Sequence, residues 1–195
     1  VTLSLIAAGL LMGAQDPSAP KIGEPPRTYT VPAVDTEPNE MKVIDRNKAY
    51  MDYELALTKL MRGNRRFIAG KSLHPRQGRD ALAEVRKGQQ PFAIIVGCSD
   101  SRVPAEIVFD QGLGDLFIVR TAGQVATNAS YGTMEFGTTA LGSKLVVVLG
   151  HDKCGAVDAA LKRPENLPGH IVSLVNSIKQ VSREIRDKPG DPLEN

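Results

Sequence analysis

Two short segments of the sequence contain the residue types that bind transition metals. The first, Gly97–Arg102, reads Gly-Cys-Ser-Asp-Ser-Arg, and the second, Gly150–Gly155, reads Gly-His-Asp-Lys-Cys-Gly. Together they hold both cysteines of the chain. Two thiolates and one imidazole are ligands that zinc prefers, and three protein ligands leave a tetrahedral ion one open position, as in catalytic sites. The pattern predicts a zinc site made of Cys98, His151 and Cys154.

Asp100 is a candidate fourth ligand of that ion, and Arg102 is a candidate partner for its carboxylate. Residues two apart in an extended loop have their side chains on the same side. A bidentate arginine would draw the carboxylate off the metal and free a position for water. Two other interpretations stay open at this point. The pair is a structural ion pair only, or an exported chain joins Cys98 to Cys154 as a disulfide.

Three continuous apolar runs, at 91–97, 116–119 and 144–150, predict strands that are buried on both faces of a parallel sheet. Helical patterns lie before, between and after these runs, at 53–70, 78–88, 104–110, 131–141, 155–161 and 169–186. The alternation indicates the α/β class, with a parallel sheet core flanked by helices. Functional residues of such sheets follow the carboxyl ends of strands, and both metal-binding segments do so.

The composition excludes several classes of protein. The chain has 195 residues, 42% of them apolar and 24% charged, which are ordinary values for one soluble globular domain. The net charge is +2 and the basic residues are scattered, so we expect no nucleic acid partner. Two cysteines cannot form a disulfide framework.

The first 45 residues differ from the rest. Residues 1–12 are uncharged but too short to span a bilayer, and we interpret 1–14 as the remnant of a signal peptide. Prolines interrupt every helical pattern in 15–45, which predicts a linker or arm before a folded domain at 46–195. We therefore expect a periplasmic or secreted protein without stable membrane insertion. The alternative is a cytoplasmic protein whose apolar N-terminus is a buried helix or a disordered tail.

The two segments resemble the Cys-x-Asp-x-Arg and His-x-x-Cys motifs of the β-class carbonic anhydrases. Residues 109–123 and 132–142 are also similar to that family, and the similarity extends from about residue 55 to residue 180. The resemblance implies one zinc ion per chain on the three ligands above, with Asp100 as an alternative fourth ligand or as the catalytic partner of Arg102. It further implies that zinc-bound hydroxide hydrates carbon dioxide reversibly to bicarbonate and a proton.

The resemblance also implies homodimers or homotetramers with substrate pockets lined from both subunits. Gln89, Phe117 and Phe136 match substrate-binding positions of the family, although many plant-type members have tyrosine where this chain has Phe136. A further C-terminal strand is usual in the family, so we expect the domain to be cut short here. Two other functions fit the motifs: hydrolysis of carbon disulfide or carbonyl sulfide, and non-catalytic zinc binding in a regulatory protein.

Overall fold

The structure, a computed structural model, describes residues 5–7, 52–162 and 166–186, and side chains within 52–162 and 166–179. The predicted proline-rich arm lies outside these residues, as does the predicted signal remnant apart from residues 5–7. Among the described helices, none is long and apolar enough to cross a membrane.

Four described strands form one sheet in the order β1-β4-β2-β3. The central strand β2 (Ala93–Cys98) runs parallel to β3 (Leu116–Thr121) and to β4 (Val146–Leu149). The predicted parallel sheet is thus confirmed. β1 (Leu5–Ala7) pairs antiparallel with β4, and nothing in the sequence analysis predicted this added strand.

Six described helices surround the sheet, and each matches a predicted helical range to within a few residues. They are α1 (Tyr53–Ile68), α2 (Arg79–Val85), α3 (Ala105–Val108), α4 (Asn128–Thr139), α5 (Gly155–Lys162) and α6 (Ile171–Arg186). A short 3-10 turn at Ala122–Gln124, directly after β3, was not predicted. It packs against α5 and α6, so these two helices lie near the carboxyl ends of the strands.

The core lies on both faces of the sheet. On one face, side chains of α1 and α3, with Phe109, pack against Ile95 and Val147. On the other face, Met134 of α4 packs against a cluster that includes Ile94. β2 is buried throughout, as predicted, because it has a strand on each side and side chains packed on both of its faces. The prediction of full burial is wrong for β3, where only Val119 is buried, because among the described strands β3 has one neighbour and lies at the edge. It is also wrong for β4, where Val146 and Val148 are only partly buried because the face that they share with Met134 is less completely covered.

Helix α1 approaches the loop after α3 so closely that only glycine fits at the contact. A Cβ atom on Gly63 would lie 1.7 Å from the carbonyl oxygen of Phe109, a backbone atom that cannot move aside. Beside this contact, the Asn64 side chain donates a hydrogen bond to the Val108 carbonyl over 3.0 Å. This contact holds α1 against the segment that connects β2 to β3.

We expect Gly63→Ala to lower the free energy of unfolding by about 3 kcal/mol, because the added methyl group must push α1 off the sheet. The matched control is Gly132→Ala in α4, where an added Cβ meets nothing within 4 Å. There, alanine should stabilise the helix by up to about 1 kcal/mol. Urea denaturation of both variants measures the difference, and equal stabilities would contradict the proposed close contact.

Candidate metal centre

Three side chains converge at the carboxyl ends of β2 and β4. Cys98 is the last residue of β2, His151 follows β4 by two residues, and Cys154 immediately precedes α5. Their ligand atoms all lie within 4.8 Å of one another, and the two sulfur atoms are 3.9 Å apart. Both cysteines are buried and free, which argues against the disulfide alternative. The predicted ligands are therefore brought together.

The geometry of the donor atoms fits zinc. Zinc–sulfur bonds of about 2.3 Å in a tetrahedral site place two sulfurs about 3.8 Å apart, close to the distance found here. The Nε2 atom of His151 is buried and has no hydrogen-bond partner among the described residues. Nδ1 of the same ring lies 3.0 Å from the Asp152 carbonyl oxygen and can donate its proton there. This tautomer leaves the Nε2 lone pair for a metal ion.

The electrostatics of the two sulfurs also favour a cation. Burial raises the pKa of the Cys154 thiol, the backbone N–H groups of Val157 and Ala156 oppose this shift, and Cys98 raises the pKa further. The N–H of Gly123 donates to the Cys98 sulfur over 3.3 Å. Two neighbouring thiolates repel each other, and a divalent ion between them removes that repulsion.

Asp100 is held by Arg102 in a two-pronged ion pair. Nε of Arg102 lies 2.8 Å from one carboxylate oxygen of Asp100, and Nη2 lies 2.7 Å from the other. The backbone N–H of Arg102 donates a third hydrogen bond over 2.9 Å. These bonds hold the pKa of Asp100 well below its usual range and raise the pKa of Arg102. The carboxylate stays near the cluster, with its Oδ2 atom 3.9 Å from His151 Nε2.

Other contacts that shape the site were missed by the sequence analysis. Arg120 of β3 donates from Nε to the Cys98 carbonyl over 2.9 Å and from Nη2 to the Asp100 carbonyl over 2.8 Å. Arg102 Nη2 also donates to the Lys153 carbonyl over 3.1 Å, which ties the two metal-binding segments together. A signal for Arg120 was present, because β3 ends at the same edge of the sheet as β2 and β4.

The three predicted substrate-binding residues do not join this cluster within one chain. Gln89 is exposed in the segment that leads to the amino end of β2. Phe117 pairs with Ile94, four residues before Cys98, which places it about 13 Å along the sheet from the cysteine. The Phe136 ring lies against Phe117, with ring centroids 6.2 Å apart. Their roles in substrate binding remain predictions.

Known proteins are similar to this chain in sequence and in fold. A sequence model of the family described as carbonic anhydrase matches residues 93–194, just over half of the chain. The chain belongs to the β-carbonic anhydrase family. Members of this family are zinc enzymes, in agreement with the donor set found here.

Individual family members show how far the similarity extends. Carbonic anhydrase 2 of Mycobacterium tuberculosis is 55% identical over 115 residues, and a carbonic anhydrase of Mycolicibacterium smegmatis is 58% identical over 99 residues. These alignments cover 58% and 51% of this chain, and the chain spans about half the length of the two relatives, 56% and 48%. The crystal structure of a β-carbonic anhydrase from Aspergillus fumigatus matches with a TM-score of 0.52 at 28% identity, over 71% of this chain and 66% of that one.

Proposed function

We propose that this protein is a zinc-dependent carbonic anhydrase that converts carbon dioxide and water reversibly to bicarbonate and a proton. The observation behind the proposal is that the ligand atoms of Cys98, His151 and Cys154 lie within 4.8 Å of one another, while the neighbouring carboxylate of Asp100 is engaged by Arg102. A site with three protein ligands and one open position is suited to catalysis, whereas a purely structural zinc site is closed by a fourth ligand.

Cys98, His151 and Cys154 would hold the zinc ion. When bound, zinc supplies a Lewis acid that lowers the pKa of water and so provides a nucleophile at neutral pH. The protein fixes the ligands in turn: the Asp152 carbonyl orients the imidazole of His151, and the N–H of Gly123 faces the Cys98 sulfur. These two contacts orient the lone pairs of His151 and Cys98 for binding a metal ion.

Asp100 would orient the attacking water by accepting a hydrogen bond from it. Because its pKa is held well below the usual range, the carboxylate remains ionised and acts as an acceptor and not as a proton store. Arg102 donates two hydrogen bonds to Oδ1 and one to Oδ2, which keeps the group in place and leaves Oδ2 the oxygen with a free lone pair. The orientation of the water thus depends on the ion pair between Asp100 and Arg102.

The wall beside the cysteines suits an apolar, uncharged substrate. Val103 is buried against Cys98 and Cys154, and Ala156 and Val157 pack against the same cluster. Carbon dioxide has no charge, so it loses little hydration free energy when it moves from water to a position beside these apolar side chains.

We also propose that the chain assembles as a homodimer or homotetramer. Tyr131 and Phe136 on α4 are 53% and 52% exposed, and burial against a second copy would remove this apolar surface from water. Gln89, Phe117 and Phe136 lie away from the metal cluster of their own chain, so a contribution to substrate binding requires the site of another subunit. Light scattering coupled to size-exclusion chromatography measures the molar mass of the assembly and thus the number of chains in it.

The experiment that tests the proposed activity is stopped-flow hydration of carbon dioxide by zinc-loaded protein, monitored with a pH indicator. We expect hydration well above the buffer rate, and no excess rate after a chelator has removed the metal. Hydrolysis of carbonyl sulfide and carbon disulfide is measured in parallel on the same sample. Turnover of the sulfur compounds without hydration of carbon dioxide would replace the proposed substrate, and no turnover of any of them would indicate a non-catalytic zinc protein.

A further inference from the structure

The turn that follows β3 has an unusual backbone. Gly123 and Gln124 are consecutive residues in the left-handed region, with φ angles of 65° and 53°. Glycine adopts this conformation freely, but a residue with a side chain does so at a cost in free energy. The Thr121 hydroxyl donates to the Val125 carbonyl over 2.8 Å and closes the turn. A strained Gln124 therefore calls for a compensating contact.

The turn makes two contacts with the strand ends that lead to the metal ligands. The Gly123 N–H donates to the Cys98 sulfur over 3.3 Å, and the Gln124 side-chain amide donates from Nε2 to the Leu149 carbonyl over 2.8 Å. Leu149 is the last residue of β4, two residues before His151. Since β2 lies between β3 and β4, the amide of Gln124 reaches from one neighbour of β2 to the other, across the strand end that carries Cys98.

The packing around the turn leaves little freedom for these contacts to shift. A Cβ atom on Gly123 would lie 3.0 Å from the Ala156 Cβ in α5 and 2.7 Å from the Ile178 Cδ1 in α6. A Cβ atom on Gly150 would lie 3.2 Å from the Gln124 amide nitrogen. Glycine at position 123 lets the turn approach α5 and α6, and glycine at position 150 lets the Gln124 amide approach the end of β4.

We propose that Gln124 is a positioning residue for the metal centre. Its amide fixes the distance between the end of β4, which leads to His151, and the turn whose N–H contacts Cys98. The strained backbone of Gln124 is what brings its side chain to the Leu149 carbonyl. The inference rests on the zinc site of the proposed function and is independent of which substrate the site converts.

Two variants of Gln124 separate the amide from the strained backbone. Gln124→Glu keeps the shape of the side chain but places an acceptor against the Leu149 carbonyl. Gln124→Gly removes the side chain and also relieves the left-handed strain. Metal binding is measured by competition between each refolded, metal-free protein and a chromophoric chelator for Zn²⁺, and by the visible spectrum of the Co²⁺-substituted protein.

We expect both variants to raise the Kd for Zn²⁺ about tenfold, the lower end of the range for loss of an outer contact, because the amide contacts Leu149 and not a ligand itself. We also expect the Co²⁺ absorption bands to shift, because the angle between the sulfur and imidazole ligands changes. Gly150→Ala is a further variant in which Gln124 itself stays unchanged: the added Cβ would lie 3.2 Å from the amide nitrogen and shift it by a few tenths of an ångström, so we expect a smaller effect in the same direction. This variant keeps the test decisive if a substitution at Gln124 prevents folding.

The matched control is Ser143→Ala, which removes another side-chain hydrogen bond to a carbonyl, from the Ser143 hydroxyl to Pro91 over 2.7 Å. We expect this control to lower Tm but to leave the Kd for Zn²⁺ and the Co²⁺ spectrum unchanged. Wild-type Kd and an unshifted spectrum in Gln124→Gly and in Gly150→Ala would overturn the proposal. Because neither measurement uses carbon dioxide, an inactive wild-type protein would refute the proposed activity without affecting this result.

Discussion

Replacement of either cysteine by serine is expected to abolish zinc binding. Purified wild-type protein should contain about one zinc ion per chain, and Cys98→Ser or Cys154→Ser should contain less than about a tenth of that amount. The reason is geometric and chemical. The two sulfurs and His151 Nε2 converge within 4.8 Å, and a neutral hydroxyl cannot replace the charge or the softness of a thiolate. Inductively coupled plasma mass spectrometry of dialysed protein measures the metal.

The histidines provide the control for this prediction. His151→Ala should lose zinc as the cysteine variants do, whereas His74→Ala and His170→Ala should retain it, because both of these residues are exposed and neither belongs to the cluster. Wild-type zinc in His151→Ala would contradict the assignment of the ligands. A mass measured without reductant that shows the two thiols joined in the purified wild-type protein would support the disulfide alternative instead.

Arg102→Ala should reduce carbon dioxide hydration by about a hundredfold while zinc remains bound, since loss of one positioning contact costs about that much. Without the guanidinium, nothing holds both carboxylate oxygens of Asp100, and its Oδ2 atom lies only 3.9 Å from His151 Nε2. The carboxylate is then free to turn onto the metal and occupy the open position. Stopped-flow rates and metal analysis on the same sample measure the two effects separately.

We expect the hydration activity to depend on the shape of the Arg102 guanidinium and not only on its charge. Arg102→Lys keeps the positive charge but cannot form two parallel bonds to Asp100, so we expect only partial activity. Arg86→Ala, at an exposed arginine after α2, is the control for general loss of a surface charge and should have wild-type activity. Titration with azide reports the open position, and we expect weaker azide binding in Arg102→Ala. Full activity with unchanged azide binding would show that the ion pair is structural only.

The order of elements could be predicted because each depends on local residue patterns. The apolar run at 91–97 predicts the strand found at Ala93–Cys98, and the spacing of Leu57, Leu60 and Phe67 predicts α1. The degree to which each strand is buried was harder to predict from the sequence. The runs in β3 and β4 resemble that in β2, yet both strands are only partly buried, β3 because it lies at an edge and β4 because one of its faces is less completely covered. Strand order is set by the packing of the whole chain, which residue patterns do not encode directly.

The metal ligands could be predicted because two sequence facts combine. Cysteine and histidine are rare in this chain, and those in the cluster fall just after predicted strands, where parallel sheets place functional residues. The proximity of Asp100 to Arg102 also follows from their spacing of two residues. The sequence did not predict that Arg120 supports the Cys98 and Asp100 carbonyls.

By itself the sequence determined the fold class, the zinc-binding residue types and the family to which the chain belongs, since motifs and periodicity are properties of residues close together along the chain. Only the tertiary structure decided which atoms meet. It placed Phe117 far from Cys98, and it brought Arg120 of β3 to the carbonyls of Cys98 and Asp100. It also brought the Gln124 amide across the end of β2 to Leu149. Such contacts join residues from different strands, and their distances depend on sheet order, on strand register and on close approaches that only glycine permits, as at Gly150.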